Sequence, residues 1–234
     1  MVRFACVGLL LITTGCTVVQ GSGVSASETR TLTGFHSVKN TTFTDVQINA
    51  DAADYNIVVQ CDDNLLEDLK MQVDDGVLRI FTAPILGFIN ANDCSVDIDM
   101  PQLLTVHNSG SGDVVSTGGI VALEEASSSG SGDIFIDGVD TAFLDIHSSG
   151  SGGITVCGSA AAITVSNSGS GTIDAECLPT AEAELRASGS GDLHATVDGP
   201  VSVRLSGSGS AHVHGDSVIV EERTSGSGDL VIYD

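Results

Sequence analysis

The feature that most constrains the fold is the tetrapeptide Ser-Gly-Ser-Gly, which occurs seven times after residue 108, at steps of 18 to 20 residues. A repeat of fixed period near 20 is typical of a solenoid, in which each coil packs on the next. A flexible linker is the alternative interpretation, but it does not explain the fixed phase. The copies begin at Ser109, Ser129, Ser149, Ser168, Ser188, Ser206 and Ser225.

Alternation within each repeat predicts strands with one apolar face. In the coil around Ser149, every second residue from Leu144 to Val156 is apolar or small, including Gly150 and Gly152. Successive side chains of a strand point to opposite faces, so the glycines are predicted to face inward and the serines outward. Stacking the repeats aligns aliphatic residues, as a parallel β-helix requires. One such column contains Val114, Ile134, Ile154, Ile173, Leu193, Ala211 and Leu230.

A more polar inward column precedes the tetrapeptide. It contains Asn108, Ser128, Ser148 and Asn167. We expect these amides and hydroxyls to form hydrogen bonds along the solenoid axis, since buried polar groups need partners.

The composition favours one acidic all-β domain. The chain has 234 residues and a formal net charge of −23, which makes nucleic acid and anionic lipid unsuitable partners. Residues 34–234 are predicted to form a β-solenoid, with regular coils of about 20 residues from about residue 102. The strands before residue 102 form either a small subdomain or irregular coils that cap the solenoid. We favour capping coils, because terminal repeats are often atypical.

The N-terminus has the features of an export signal. Residues 1–15 combine Arg3 with a short apolar run, and Gly15-Cys16 resembles a bacterial lipoprotein cleavage site, although Thr13 stands where leucine is usual. Cys16 is therefore the predicted lipidation site, and residues 16–33 the lipidated end and a flexible tether. Thr17 favours the outer membrane. Ordinary signal cleavage and an uncleaved anchor are the alternatives.

Several short segments together resemble one bacterial family. Gly34-Phe35, the run from Asp74 to Ile80, Met100-Pro101-Gln102-Leu103 and the recurring Ser-Gly-Ser-Gly-Asp are similar to the auto-transporter adhesin head, or GIN, domain. The resemblance covers approximately Gly34 to Asp234. It implies an exported β-solenoid on the cell envelope and provides no catalytic residues. Three repeats depart from the motif and replace its aspartate by Gly153, Thr172 and Ser210.

Four cysteines remain after the signal and Cys16, which suits disulfides in an oxidising compartment. Cys157 and Cys177 fall at similar positions of neighbouring coils, within bridging reach. By elimination Cys61 pairs with Cys94. The alternative is four small buried thiols.

Two outward groups of residues are candidate sites. Arg186, Arg204 and Arg223 form one column, interpreted either as charge balance with a neighbouring acidic column or as an anion-binding strip. Imidazoles and carboxylates on the last coils are the second group. Their spacing would suit Zn²⁺ or Cu²⁺, but an open face without supporting partners favours solvated side chains, with no metal site and no cofactor. The second group contains Asp174, Asp192, His194, His212 and His214.

Two functions from different classes fit the sequence. The first is a non-enzymatic, surface-anchored lipoprotein that binds a cell-surface glycan or protein, or serves as a scaffold, as a monomer or a homo-oligomer. The second is a β-helix enzyme that acts on polysaccharides. The first is favoured because no coil carries an insertion that could wall an active site.

Overall fold

The computed structural model describes residues 17–82, 86–89, 94–119 and 121–233, and within them all regular structure is β. These ranges contain no helix, and hence no helical segment with the length and hydropathy of a membrane span. The strands are β1 (Thr17–Gln20), β2 (Ser25–Arg30), β3 (Ser37–Asn40), β4 (Asp45–Ala50), β5 (Asn56–Asp62), β6 (Leu69–Asp74), β7 (Val77–Thr82), β8 (Leu86–Ile89), β9 (Ser95–Met100), β10 (Thr105–Asn108), β11 (Val114–Ser116), β12 (Glu125–Ser128), β13 (Ile134–Ser148), β14 (Ile154–Asn167), β15 (Ile173–Ala187), β16 (Leu193–Val197), β17 (Pro200–Leu205), β18 (Ala211–His214), β19 (Val218–Thr224) and β20 (Leu230–Tyr233).

Parallel pairing of these strands builds a β-solenoid, which confirms the predicted fold. The first wall ends just before each tetrapeptide and stacks β7, β3, β10, β12, the second halves of β13 to β15, β17 and β19. The second wall begins just after it and stacks β9, β4, β11, the first halves of β13 to β15, β16, β18 and β20. In β13 to β15 the chain runs on along a third side to the next first wall.

The predicted alternation is confirmed. Ile154 and Val156 are fully buried, whereas Ser149 and Ser151 are exposed. The predicted aliphatic column is paired residue by residue from Val114 to Leu230. In the regular coils the core is therefore a stack of like aliphatic side chains, whereas Phe135 and Phe143 are exposed and the buried Phe35 belongs to the N-terminal cap.

Close backbone contact, and not a special turn, explains the glycines of the tetrapeptide. Each tetrapeptide forms the bend between the first wall and the second wall, and we call this bend the SGSG corner. A Cβ built on Gly150 would overlap the carbonyl oxygen of Gly130, and one on Gly169 that of Gly150. The Ser151 amide donates to Gly130 O at 2.9 Å, which holds the corners together. The coils can stack this closely only where no side chain intervenes.

The polar inward column does not bond along the axis as expected. Asn108 and Asn167 are buried, but each bonds to the corner of its own coil: the Asn167 amide donates to Gly171 O at 2.7 Å, and its oxygen accepts from Gly169 N at 3.0 Å. An asparagine side chain carries both a donor and an acceptor, and the adjacent bend supplies a partner for each. The hydroxyls of Ser128 and Ser148 have no partner within the described chain.

The aspartate that follows many copies of the tetrapeptide has a structural role. Asp133 N donates to Asp113 Oδ1 at 2.8 Å, and Gly153 N donates to Asp133 Oδ1 at 2.7 Å. The same bond joins Ser210 N to Asp192 Oδ1. Each carboxylate thus accepts from the equivalent amide of the next coil, a charge-assisted bond that fixes the stacking.

The segment before residue 102 supplies irregular first coils, in agreement with the predicted capping. β3 and β4 stack directly under β10 and β11, and Thr42 and Thr44 occupy the places of the corner glycines. Antiparallel partners, β5 on β9 and β6 on β7, cover this end. The turn at Asp74-Asp75-Gly76 joins β6 to β7, and Asp75 and Gly76 both have positive φ, as a type I′ hairpin requires.

The expected flexible tether is in part ordered. β2 pairs antiparallel with β5, and Arg30 donates to the carbonyl oxygens of Leu66 and Leu69. Ser22 N also donates to Asn64 Oδ1 at 2.9 Å. The small, polar composition of residues 16–33 suggested a flexible tether. These long-range hydrogen bonds instead hold part of the segment against the N-terminal cap. Residues 1–16, including the predicted signal and Cys16, lie outside the described residues.

Both cysteine pairs are disulfides in this structure. Cys61 is bonded to Cys94 within the N-terminal cap, and the two residues are almost fully buried. Cys157 is bonded to Cys177 on neighbouring coils, with Cα atoms 4.6 Å apart. This second pair is at the surface, because the strands β14 and β15 carry it outward from the core.

Candidate functional site

The arginines expected to form a column belong to a longer one. Strand register places nine residues in a single outward line on the first wall, one from each coil or capping strand. Of the chain's eight lysines and arginines, five are in this line. We call it the basic column; its members are Arg79, Lys39, His107, Ser127, His147, Ser166, Arg186, Arg204 and Arg223.

Two glutamates link the three arginines at the C-terminal end. Glu184 Oε1 accepts from Arg186 NH2 at 2.5 Å and from Arg204 NH1 at 2.6 Å. Glu221 accepts from Arg204 NH2 at 2.7 Å and forms an ion pair with Arg223 Nε at 2.6 Å. These shared carboxylates relieve the mutual repulsion of the guanidinium groups, as the charge-balance interpretation requires. Three cations against two anions still leave one positive charge, and each guanidinium retains N–H donors beyond these bonds.

The electrostatic environment differs along the column. The pKa of the Glu184 carboxyl is lowered, first by its hydrogen bond to Arg186 and further by the charges of Arg186 and Arg204. The pKa of His107 is also lowered, mainly by burial and then by the charge of Lys39. Lys39 has no ion pair among the described residues. The N-terminal end of the column therefore keeps an uncompensated cation.

A shallow groove follows the basic column. It lies between the column and the first serines of the SGSG corners, has a volume of about 380 Å³, and has Asn167 and Ala187 in its lining. His147, Arg186 and Arg204 line one side, and Ser168 and Ser188 are among the residues opposite. Hydroxyl and guanidinium groups can both donate hydrogen bonds, so the groove presents donors along two parallel edges.

The second predicted group lies on a different face. Asp174, His194 and His212 are consecutive in one column of the second wall, and His214 lies two residues from His212 on β18. Glu176 and Tyr233 also contact these imidazoles, and no sequence pattern indicated their involvement. Glu176 lies in β15 and Tyr233 in β20, and the coil register brings both to the histidines of β16 and β18.

The fold and the surface together define a class of protein: an all-β solenoid with open, repetitive outer faces and a line of cations on one of them. Comparison with family models identifies the family within this class. Residues 34–217 match the family described as "Putative auto-transporter adhesin, head GIN domain", and the chain belongs to that family.

Solved structures share the fold at low sequence identity. A "putative adhesin" from Bacteroides fragilis is 19% identical, with a TM-score of 0.83 over 92% of this chain and 100% of that one. A "putative lipid binding protein" from Parabacteroides distasonis is 19% identical, with a TM-score of 0.69 over 93% and 100% of the two chains. A "putative adhesin" from Parabacteroides merdae is 18% identical, with a TM-score of 0.66 over 93% and 99%. No curated protein matches the sequence.

Proposed function

We propose that this protein is an exported, non-enzymatic, adhesin-like module of the cell envelope whose basic column binds an acidic polysaccharide. The observation that carries the proposal is the placement of five of the eight lysines and arginines in one line of a chain whose net charge is −23. Scattered cations would balance the acidic surface equally well. Their alignment instead creates a local positive strip, which is suited to an extended anionic ligand.

Spacing supports a polymeric ligand. Neighbouring strands of a sheet lie about 4.8 Å apart, so the column offers a possible contact at each coil. Arginine binds carboxylate and sulfate oxygens with two parallel N–H bonds, and the groove beside Arg186 and Arg204 has room for a sugar chain. A polyuronate or sulfated glycan can therefore place successive acidic groups along the same line.

Binding is favoured over catalysis because, among the described residues, both groups with a shifted pKa have it shifted downwards by burial or by neighbouring cations. Glu184 is held ionised by arginines, and His107 is held neutral by burial and Lys39. A general acid would need a carboxyl whose pKa is raised.

Anchoring at Cys16 is part of the proposal. The predicted signal ends at residue 15, and β1 begins directly after the cysteine, at Thr17. A lipid on Cys16 would hold the first coils near the outer membrane. Cys16→Ser is expected to move the protein from the membrane fraction to the soluble fraction, and unchanged fractionation without incorporation of labelled fatty acid would contradict lipidation.

The test of function compares three proteins on immobilised polygalacturonate and heparin, with dextran as the neutral control. Arg186→Gln/Arg204→Gln/Arg223→Gln is expected to lose at least tenfold in affinity, and wild-type binding is expected to weaken as salt rises. The matched Arg→Lys triple keeps the charge and loses only the bidentate geometry, so it is expected to fall between the two. Circular dichroism checks that each variant is folded. If the folded variant with three Arg→Gln substitutions binds like wild type, the arginines of the basic column only balance the charge of the neighbouring glutamates.

A further inference from the structure

The outer face of the second wall carries a compact cluster of imidazoles and one carboxylate near the C-terminal end. A ligand atom from each of Asp192, His194 and His212 lies within 4.8 Å of the other two. The His194 and His212 rings are stacked, with centroids 4.6 Å apart and planes 11° apart. All three side chains are half-buried. The coil register produces this arrangement, because His194 and His212 are direct partners on β16 and β18.

Each of the three side chains is fixed by a second contact that leaves another ligand atom free. His194 Nδ1 lies 2.9 Å from Glu176 Oε1, and His212 Nδ1 lies 3.1 Å from the Tyr233 hydroxyl. Nε2 of each ring is therefore the nitrogen left to bind a ligand. Asp192 Oδ1 accepts from Ser210 N at 2.8 Å, which leaves Oδ2 in the same way.

Such outer contacts are what metal-binding histidines use. A carboxylate or hydroxyl on the second ring nitrogen fixes the tautomer and the ring orientation, and a carboxylate also raises the basicity of the ligand nitrogen. Sequence reasoning interpreted these histidines as solvated because no supporting partners were visible. Glu176 and Tyr233 supply those partners.

We infer that Asp192, His194 and His212 form a site for a divalent transition metal, Zn²⁺ or Cu²⁺. Two imidazole nitrogens and one carboxylate oxygen match the ligands that these ions select, whereas Ca²⁺ and Mg²⁺ prefer all-oxygen sites. Metal–ligand bonds of about 2.0–2.2 Å require ligand atoms closer together than 4.8 Å, so metal binding would have to draw the two rings and the carboxylate together. Three protein ligands leave a position of a tetrahedral site open on the solvent side, where water or a group from another molecule binds.

The stacked geometry also explains why the face would gain from a metal. The rings of His194 and His212 stack, and the rings of His214 and Tyr233 stack with centroids 4.3 Å apart. Contacts to Glu176 and the bond between His212 and Tyr233 add to this stacking. A metal would crosslink β16 to β18 and to the corner before β16. The last coils would then resist separation better, since a ligand that binds only the folded state stabilises it.

The test is equilibrium dialysis and calorimetric titration of tag-free protein with ZnCl₂ and CuCl₂. One equivalent is expected to bind, with a rise in melting temperature that EDTA reverses, and millimolar Ca²⁺ is expected not to compete. His212→Ala should weaken binding at least tenfold, and Glu176→Gln should weaken it about 10- to 100-fold without removing a ligand. His36→Ala, which changes an exposed histidine of the N-terminal cap outside both candidate sites, is the matched control and should bind the metals like wild type.

Two outcomes would overturn the inference. One is the absence of saturable binding of either metal at micromolar concentration. The other is stoichiometric binding that survives in His212→Ala, which would place the metal on the general acidic surface. Melting curves of both variants in EDTA, compared with wild type, show whether a loss of binding reflects a loss of fold.

Discussion

Gly150→Ala is the most direct test of how the coils are held together. The added methyl group would overlap the Gly130 carbonyl oxygen and lie 2.8 Å from the Ser129 carbonyl carbon. Since both are backbone atoms, the clash can be relieved only by separating the coils. That separation weakens the two bonds that cross the same gap, from Ser149 N to Ser128 O at 2.8 Å and from Ser151 N to Gly130 O at 2.9 Å.

The magnitude follows from these contacts. Two weakened hydrogen bonds contribute about 1 kcal/mol each, and overpacking of a close-packed site adds about 1–3 kcal/mol. The expected loss is about 3–5 kcal/mol in the free energy of unfolding. For a chain of this length, such a loss lowers the melting temperature by about 6–20 °C.

Gly153→Ala is the matched control in the same coil. A methyl group there would lie 3.3 Å from Thr172 O, which requires only a small adjustment, and φ of Gly153 is not positive. The substitution restricts the unfolded chain and is expected to be neutral or to stabilise by about 0.4–1 kcal/mol. Thermal unfolding followed by circular dichroism and calorimetry compares the two variants. Equal melting temperatures would refute close backbone stacking as the reason for glycine at the corner.

The remaining predictions concern the core and pH. Ile154→Asp is expected to unfold the solenoid, because an unpaired carboxylate in the core costs several kcal/mol, whereas Thr155→Asp is tolerated on the outer face; similar melting temperatures for the two would contradict the inward–outward assignment. The lowered pKa of His107 means that the unfolded chain binds a proton more readily than the folded chain below the ordinary pKa of 6.5. Stability is therefore lost as pH falls from 6.5 towards the lowered value and retained above it. Urea unfolding at pH 7.5 and 5.5 should show a larger decrease for wild type than for His107→Gln, and an equal decrease would assign the effect to other groups.

Much of the fold could be predicted because the repeat carries its own register. Once the tetrapeptides are aligned, the strand parity, the aliphatic columns and the proximity of Cys157 to Cys177 follow from counting. The coil formed by β3 and β4 could not be predicted in this way. It has Thr42 and Thr44 in the places that glycines take in the later corners, so the tetrapeptide does not mark it.

The basic column and the histidine cluster were only partly predictable from the aligned repeats. The arginine column was visible between tetrapeptides, but Lys39 and Arg79 join it through pairings that lack the repeat. The partners of the histidines depend on side-chain orientation, which spacing does not encode. The ordered β2 was missed because it pairs with residues 27 to 37 positions away along the chain.

The repeated corner has a consequence for how such a molecule can vary. Each coil presents the same glycine carbonyls and the same aliphatic columns to the coil above it as to the coil below it. Removing or duplicating one whole period would therefore rejoin surfaces that already fit, while shifting the chain by a single residue would turn every column inside out. Length is thus an adjustable property of this architecture, in steps of about 4.8 Å, and the reach of its outer faces scales with the number of coils.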